Sequence, residues 1–169
     1  MRFPQKTVYL AGPITGLSYQ EARHTWRQEF SRLVPAHIHC LSPMRAKDFL
    51  LDQQVLVGDP DMYPQHLMAT ASGIVTRDRN DVKNCDAMVA VLSNAEKASV
   101  GTCIEFGWAD AFRKPIVMVI EDQADADHMR PDLAPNPHWH AMLTEISGYV
   151  TPSLDEAAHI VTHLLTPGI

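Results

Sequence analysis

Short, continuous runs of apolar residues alternate with segments of helical periodicity along this chain. The runs at Thr7–Ala11, Ala87–Leu92 and Pro115–Ile120 are apolar almost throughout, which is typical of strands buried on both faces of a parallel sheet. His37–Leu41 alternates polar and apolar residues like a further strand, and Gly148–Val150 is a short terminal candidate. The pattern therefore predicts five strands.

Apolar residues at helical spacing fill the intervals between these strands. Ala22, Trp26 and Phe30 recur on one face of the first such interval. Ser153 and Glu156 fit a capping box at the start of the last interval. The predicted helices are Tyr19–Leu33, Ala69–Asn84, Thr102–Phe112, Trp139–Glu145 and Ser153–Leu165.

The alternation of strands and helices predicts an α/β fold. We expect a doubly wound, flavodoxin-like three-layer sandwich with about five parallel strands. Residues 44–67 and 121–137 lack a clean period and contain several prolines. We expect loops there, the first of them a loop or lid over a site. A length of 169 residues predicts a single domain covering 1–169.

Charge and composition narrow the possible partners. The formal net charge is −6, from 14 basic and 20 acidic residues, and no run of Lys or Arg occurs, which argues against a nucleic-acid surface. No apolar run reaches the length of a membrane span and no signal-peptide pattern opens the chain, so we expect a cytoplasmic protein with no membrane partner. The three cysteines lack CxxC spacing and predict reduced thiols.

Several familiar chemistries lack their sequence signatures. The phosphate-loop, dinucleotide-binding and nucleophile-elbow glycine motifs are all missing from the sequence. His159 and His163 have the spacing of metal ligands, and His138 and His140 flank a Trp, but we interpret them as exposed helix and loop residues. We expect no metal and no cofactor, and we interpret Cys103 as a packing residue.

Two segments have the form of a strand that runs into a glycine-rich turn. Val8–Gly16 reads VYLAGPITG, and Ser93–Asp110 leads through Gly101 into a helix that carries Glu105. Strand-to-turn segments meet at the carboxyl edge of a parallel sheet, where ligands bind in open α/β folds. A carboxylate one turn into an otherwise small and apolar helix faces either solvent or a ligand.

A charged cluster, Arg77–Asp81, ends the helix that precedes the central strand. We interpret Arg79 and Asp81 as a charge pair on a solvated helix face. Asp78 is set apart because it lies eight residues before Asp86, which opens the strand.

These segments together resemble the nucleoside 2-deoxyribosyltransferases and their nucleotide N-glycosidase relatives. The resemblance rests on VYLAGP at Val8–Pro13, RDRNDVKNCDAMVAVLS at Arg77–Ser93 and SVGTCIEFGWADAFRKPIVMV at Ser99–Val119. It spans roughly 110 residues between the first and last motifs. It implies a small-molecule nucleoside or nucleotide substrate and a homo-oligomer in which one subunit completes its neighbour's pocket.

The resemblance also implies roles for three residues. Glu105 is the nucleophile, Asp78 contacts the sugar or helps to protonate the base, and Tyr9 orients the nucleophilic carboxylate. The chemistry is coherent, because a carboxylate can trap the oxocarbenium-like sugar as a glycosyl ester. The proton donor needs a raised pKa, and a helix N-terminus at Gly101 is expected to favour the anionic form of Glu105.

One position departs from the nucleoside transferases. They carry an acidic residue six positions before the nucleophile, whereas this chain has Ser99, which resembles the 5′-monophosphate glycosidases of the same superfamily. We expect Ser99 and the N–H groups of Val100 and Gly101 to bind substrate. The first turn, with Gly12, Pro13 and Thr15, is expected to line the same site and to supply further donors. Three functions stay open: deoxyribosyl transfer, monophosphate hydrolysis, and non-catalytic nucleotide binding on the same fold.

Overall fold

The computed structural model describes residues 4–58, 66, 69–93, 95–121 and 136–166. Five parallel strands form one sheet in the order β2-β1-β3-β4-β5. The strands are β1 (Lys6–Ala11), β2 (Ile38–Leu41), β3 (Ala87–Val91), β4 (Ile116–Val119) and β5 (Tyr149–Thr151). The predicted fold class is therefore confirmed, while the single domain over 1–169 stays a prediction.

The described residues form six α-helices, five of which cover the two faces of the sheet. They are α1 (Tyr19–His24), α2 (Trp26–Leu33), α3 (Ala71–Asn84), α4 (Val100–Ala111), α5 (Ala141–Ile146) and α6 (Leu154–Leu165). One face packs against α2 and α6, and the other packs against α3, α4 and α5. None of these helices has the length and apolar character needed to span a membrane.

Successive side chains of β1 point to opposite faces of the sheet, and each face is covered by different helices. Val8 and Leu10 enter the core under α2 and α6, whereas Tyr9 and Ala11 enter the core under α3 and α4. All four are buried, as expected for a central strand with neighbours on both sides. The alternation therefore directs the Tyr9 side chain towards the helix that carries Glu105.

The predicted helix Tyr19–Leu33 is interrupted at Thr25. Its ψ of −113° lies outside the helical range, so α1 ends there and α2 begins. The break leaves the Ala22 carbonyl without a helical partner, and the buried Arg27 guanidinium donates to it at 2.7 Å. Helical periodicity continued through the break and could not reveal it.

The complete capping box lies at α1 and not at the last helix, where it was predicted. Ser18 and Glu21 form a complete box at the start of α1. At α6 the Ser153 hydroxyl accepts the Glu156 N–H, but the Glu156 carboxylate accepts the Thr151 hydroxyl at 2.5 Å. The last helix thus has only half of the predicted box.

The segment after β2 is a loop, as predicted, in the part that the structure describes. It contains a 3₁₀ turn at Asp48–Leu50. Met44, Leu50 and Leu56 form a small apolar cluster with residues of α1. Residues 59–65, 67 and 68, and the predicted loop residues 122–135, lie outside the described residues, and the lid stays a prediction.

Asp81 corrects the prediction of a solvated charge pair. Its carboxylate is buried and forms a two-pronged ion pair with the Arg45 guanidinium, with Nη2 lying 2.7 Å from Oδ1. Arg79 is exposed, as predicted. Arg45 is 36 residues away in the chain, so a local reading of the charged cluster could not identify it as the partner.

Candidate active site

A cavity of about 650 Å³ opens at the carboxyl edge of the sheet, a volume within the range of small-molecule sites. Residues after β1, the segment after β2, α3 and the start of α4 line it. The predicted site residues on its wall are Gly12, Pro13, Thr15, Asp78, Ser99, Gly101 and Glu105. Tyr9 lies behind the wall and reaches it through Glu105. The roles of these residues stay predictions.

Gly12 allows the chain to leave β1 close to the end of β3. Its φ is +154°, and a Cβ at this position would lie 2.8 Å from the Val91 carbonyl oxygen. That contact is with backbone, which cannot move aside, so glycine is required here. The turn after β1 therefore lies directly against the neighbouring strand and forms one wall of the cavity.

Tyr9 and Glu105 form a buried pair at the centre of the site. The Tyr9 hydroxyl donates to Glu105 Oε1 at 2.6 Å. Only 8% of Glu105 and none of Tyr9 is exposed to solvent. Burial, and then the Glu105 charge, raise the pKa of Tyr9 well above its ordinary value. Tyr9 therefore keeps its proton and acts as a fixed donor to the carboxylate.

The environment of Glu105 raises its pKa to about 7. Burial is the largest cause, and it is opposed by the hydrogen bond from Tyr9. Glu105 is the sixth residue of α4, beyond the first turn in which the helix dipole acts strongly. The expectation that the helix N-terminus favours the anion is therefore outweighed by desolvation, and both protonation states exist near neutral pH.

Arg77 binds one of the two carboxylate oxygens of Asp78. Arg77 donates to Asp78 Oδ1 through Nε at 2.9 Å and through Nη2 at 2.7 Å. Burial nevertheless raises the pKa of Asp78, with the Arg77 charge opposing the rise. Arg77 also donates to the Pro43 carbonyl at 2.6 Å, which fixes the loop after β2 beside α3. Asp78 is thus a buried carboxyl group that is paired with Arg77 and has a raised pKa.

Ser99 is the N-cap of α4. Its Oγ accepts the Thr102 N–H and the Thr102 hydroxyl, the latter at 2.9 Å. Within the described residues, the N–H groups of Val100 and Gly101 have no hydrogen-bond partner. Such unpaired N–H groups at a helix start attract anions.

His138 corrects the prediction of an exposed loop histidine. It is completely buried, and its Nε2 accepts the Ser99 N–H at 2.8 Å. Burial lowers the pKa of His138, which favours the neutral ring that this bond needs. The partner is 39 residues away, so no local pattern could have predicted the contact.

Two basic residues near the site were not predicted from the sequence. Arg27 is 2% exposed, stacks on Trp26 and donates to the Gly12 carbonyl at 3.1 Å. Lys47 is 7% exposed and lines the cavity. Neither residue lies in a recognisable sequence motif. Arg27 is turned inward by the helix break, and Lys47 lies in a segment without periodicity.

The remaining points concern Cys103 and possible metal sites. Cys103 is partly buried and packs against the core under α3 and α4, and burial raises the pKa of its thiol. Within the described ranges, no group of three or more His, Cys, Asp or Glu side chains could hold a metal ion.

Known proteins resemble this chain in sequence and in fold. The family model for nucleoside 2-deoxyribosyltransferase matches residues 8–151. No curated protein matches the chain.

Solved structures share the fold at low sequence identity. A 2-desoxiribosyltransferase from Leishmania mexicana is 21% identical with a TM-score of 0.57, covering 94% of this chain and 98% of that one. A 2-deoxyribosyltransferase from Bacillus psychrosaccharolyticus is 14% identical with a TM-score of 0.54, covering 96% and 99%. The CMP N-glycosidase BcmB from Clostridium botulinum is 16% identical with a TM-score of 0.50, covering 92% and 97%.

Removing the Tyr9 hydroxyl should raise the pKa of Glu105 above about 7, because the hydrogen bond from Tyr9 stabilises the carboxylate. The substitution is Tyr9→Phe, and the measurement is a ¹³C NMR titration of the Glu105 carboxyl group. Tyr19→Phe is the control, since the Tyr19 hydroxyl contacts Asp48 and not Glu105. An unchanged or lower pKa in Tyr9→Phe would contradict the assignment.

Proposed function

Because this chain belongs to the nucleoside 2-deoxyribosyltransferase family, we propose that it cleaves the N-glycosidic bond of 2′-deoxyribonucleosides or their monophosphates. The deoxyribosyl group passes through Glu105 to an acceptor base. The observation that carries this proposal is the buried Tyr9–Glu105 hydrogen bond beside a cavity that Asp78 also lines. Two carboxyl groups with different partners at one cavity suit a nucleophile and a proton donor.

The first half-reaction uses both carboxyl groups. Tyr9 binds Oε1 of Glu105, and Oε2 of the ionised carboxylate attacks C1′ of the sugar. The C1′–N bond breaks and its electron pair goes to the departing base, which takes the proton from Asp78. The raised pKa of Asp78 supports this role, because a donor must be protonated before the bond breaks.

The second half-reaction reverses these steps with a different nucleophile. An acceptor base attacks C1′, its proton passes to the Asp78 carboxylate, and the ester bond to Glu105 breaks. Water in place of the base gives hydrolysis through the same intermediate. Transfer and hydrolysis therefore need the same residues. They differ in whether an acceptor base or water reaches the glycosyl ester. A homo-oligomer and a cytoplasmic location stay predictions.

Glu105→Gln should lower the rate of base release by at least about a thousandfold, because an amide cannot replace a carboxylate nucleophile. The amide oxygen can still accept the Tyr9 hydroxyl, so the fold should persist. The assay incubates the protein with deoxynucleosides and deoxynucleoside monophosphates, with and without an acceptor base, and follows base exchange and free base by chromatography.

Cys103→Ala is the matched control for this assay. It removes the ionisable group two residues away and should keep activity within about threefold, because the thiol only packs. Equal rates for Glu105→Gln and the parent would contradict the mechanism. If the parent binds these substrates and releases no base, the chain is a non-catalytic binding module.

Hydrolysis of 5′-monophosphates is the second candidate function, and the start of α4 favours it. Ser99 replaces the acidic residue of the nucleoside transferases, and the Val100 and Gly101 N–H groups have no partner among the described residues. Ser99 Oγ accepts from Thr102, which leaves its own hydrogen available for a phosphate oxygen. The α4 dipole adds to the attraction for an anion.

Ser99→Asp should reduce kcat/KM for a monophosphate by roughly tenfold to several-hundredfold relative to the free nucleoside. A like charge at about 4 Å costs on the order of 1–4 kcal/mol, depending on screening. Ser99→Asn is the neutral control, and Asp and Asn cap helices about as well as Ser. If the parent prefers free nucleosides and Ser99→Asp leaves monophosphate use unchanged, Ser99 is only a helix cap and the transferase function is favoured.

A further inference from the structure

Lys47 is a buried cation that faces the cavity without a partner. Only 7% of the residue is exposed, and it lines the cavity. Within the part of the chain that the structure describes, its ammonium group forms no hydrogen bond and no ion pair. The side chain is mostly buried, but its ammonium nitrogen is not among the fully enclosed nitrogen atoms that lack a partner. On the cavity wall, this ammonium group is therefore open to an acceptor that a ligand supplies.

Lys47 lines the same cavity as Asp78 and Glu105. Asp78 and Glu105 raise its pKa, while Arg77 and Arg27 lower it. Burial is the largest influence, and the resulting pKa is about 8. Lys47 is therefore mostly protonated at neutral pH. It acts on both carboxyl groups without being neutralised by either of them.

The sheet order separates Lys47 from the start of α4. Lys47 follows β2, α4 follows β3, and β1 lies between these two strands. The N–H groups at the start of α4 and the Lys47 ammonium group thus belong to loops on opposite sides of β1. When a substrate phosphate binds at the start of α4, Lys47 contacts a different part of the substrate.

A second contact connects Lys47 with the proton donor. Arg77, which binds Asp78, also donates to the Pro43 and Arg45 carbonyls in the loop that carries Lys47. The loop after β2 is therefore fixed against α3 beside Asp78. Since Asp78 gives its proton to the base, the same side of the cavity receives the base.

We propose that Lys47 donates a hydrogen bond to the acceptor atom of the departing base that lies next to the glycosidic nitrogen. This acceptor is the 2-carbonyl oxygen of a pyrimidine or N3 of a purine. As the C1′–N bond breaks, its electron pair enters the base and negative charge grows on that acceptor. Lys47 keeps its own proton and stabilises the charge, while Asp78 supplies the proton that the base carries away.

This inference rests on the proposed function and specifies the substrate further. The enzyme should act on bases that carry an acceptor beside the glycosidic nitrogen and should discriminate against analogues that lack it. A site that hydrogen-bonds a substrate group rejects an analogue without that group, because its buried donor is left unpaired.

The test compares purine 2′-deoxyriboside with 3-deazapurine 2′-deoxyriboside, which lacks the N3 acceptor and keeps N7 for protonation. The parent should show at least about tenfold lower kcat/KM for the deaza compound. Lys47→Met should lose at least about tenfold in kcat on the purine substrate and little on the deaza compound, which removes the discrimination. Lys47→Arg should retain part of it, and Lys83→Met, an exposed lysine of α3, should behave like the parent.

The outcomes separate this inference from the proposed function. If the parent uses both compounds within about threefold, or if Lys47→Met lowers both rates equally, Lys47 does not contact that acceptor. The parent comparison decides this even if Lys47→Met fails to fold. If the parent releases no base from any substrate, the proposed function fails first. Calorimetric binding of purine and 3-deazapurine then tests Lys47 alone, with equal affinities overturning the inference.

Discussion

The hydrogen bond between Tyr9 and Glu105 is the constraint on which the site depends. It joins the central strand β1 to α4 across the core, and it satisfies a carboxylate that burial would otherwise force to remain protonated. The alternation of β1 directs Tyr9 towards α4. Gly12 lets the chain turn immediately afterwards. The central strand thus places both the Tyr9 hydroxyl and the cavity wall within a few residues.

The parts of the fold that follow from local sequence could be predicted. Continuous apolar runs indicated a parallel sheet, and the two glycine-rich segments indicated its carboxyl edge as the place of the cavity. Two contacts that were missed depend on partners distant in the chain. The Asp81–Arg45 ion pair and the His138–Ser99 hydrogen bond join separate loops and helices. Neither periodicity nor spacing reports such contacts.

The two carboxyl groups of the site differ in their hydrogen-bond partners. Burial raises the pKa of both Asp78 and Glu105, and that of Glu105 is raised to about 7. Tyr9 favours the anion of Glu105 by donating to it. Asp78 is held by Arg77 through a single oxygen in the described residues. In our proposal Lys47 stabilises the negative charge of the departing base, and the start of α4 offers N–H donors on the other side of β1.

The central claim is that Glu105 becomes covalently attached to the sugar. Mass spectrometry of the acid-quenched protein, after brief incubation with a deoxynucleoside in the absence of an acceptor base, tests it most directly. We expect the proteolytic peptide that contains Glu105 to gain the mass of one deoxyribosyl group, with fragmentation locating the ester on that side chain. A protein that turns over substrate while this peptide stays unmodified, or that carries the sugar on another residue, would contradict the account.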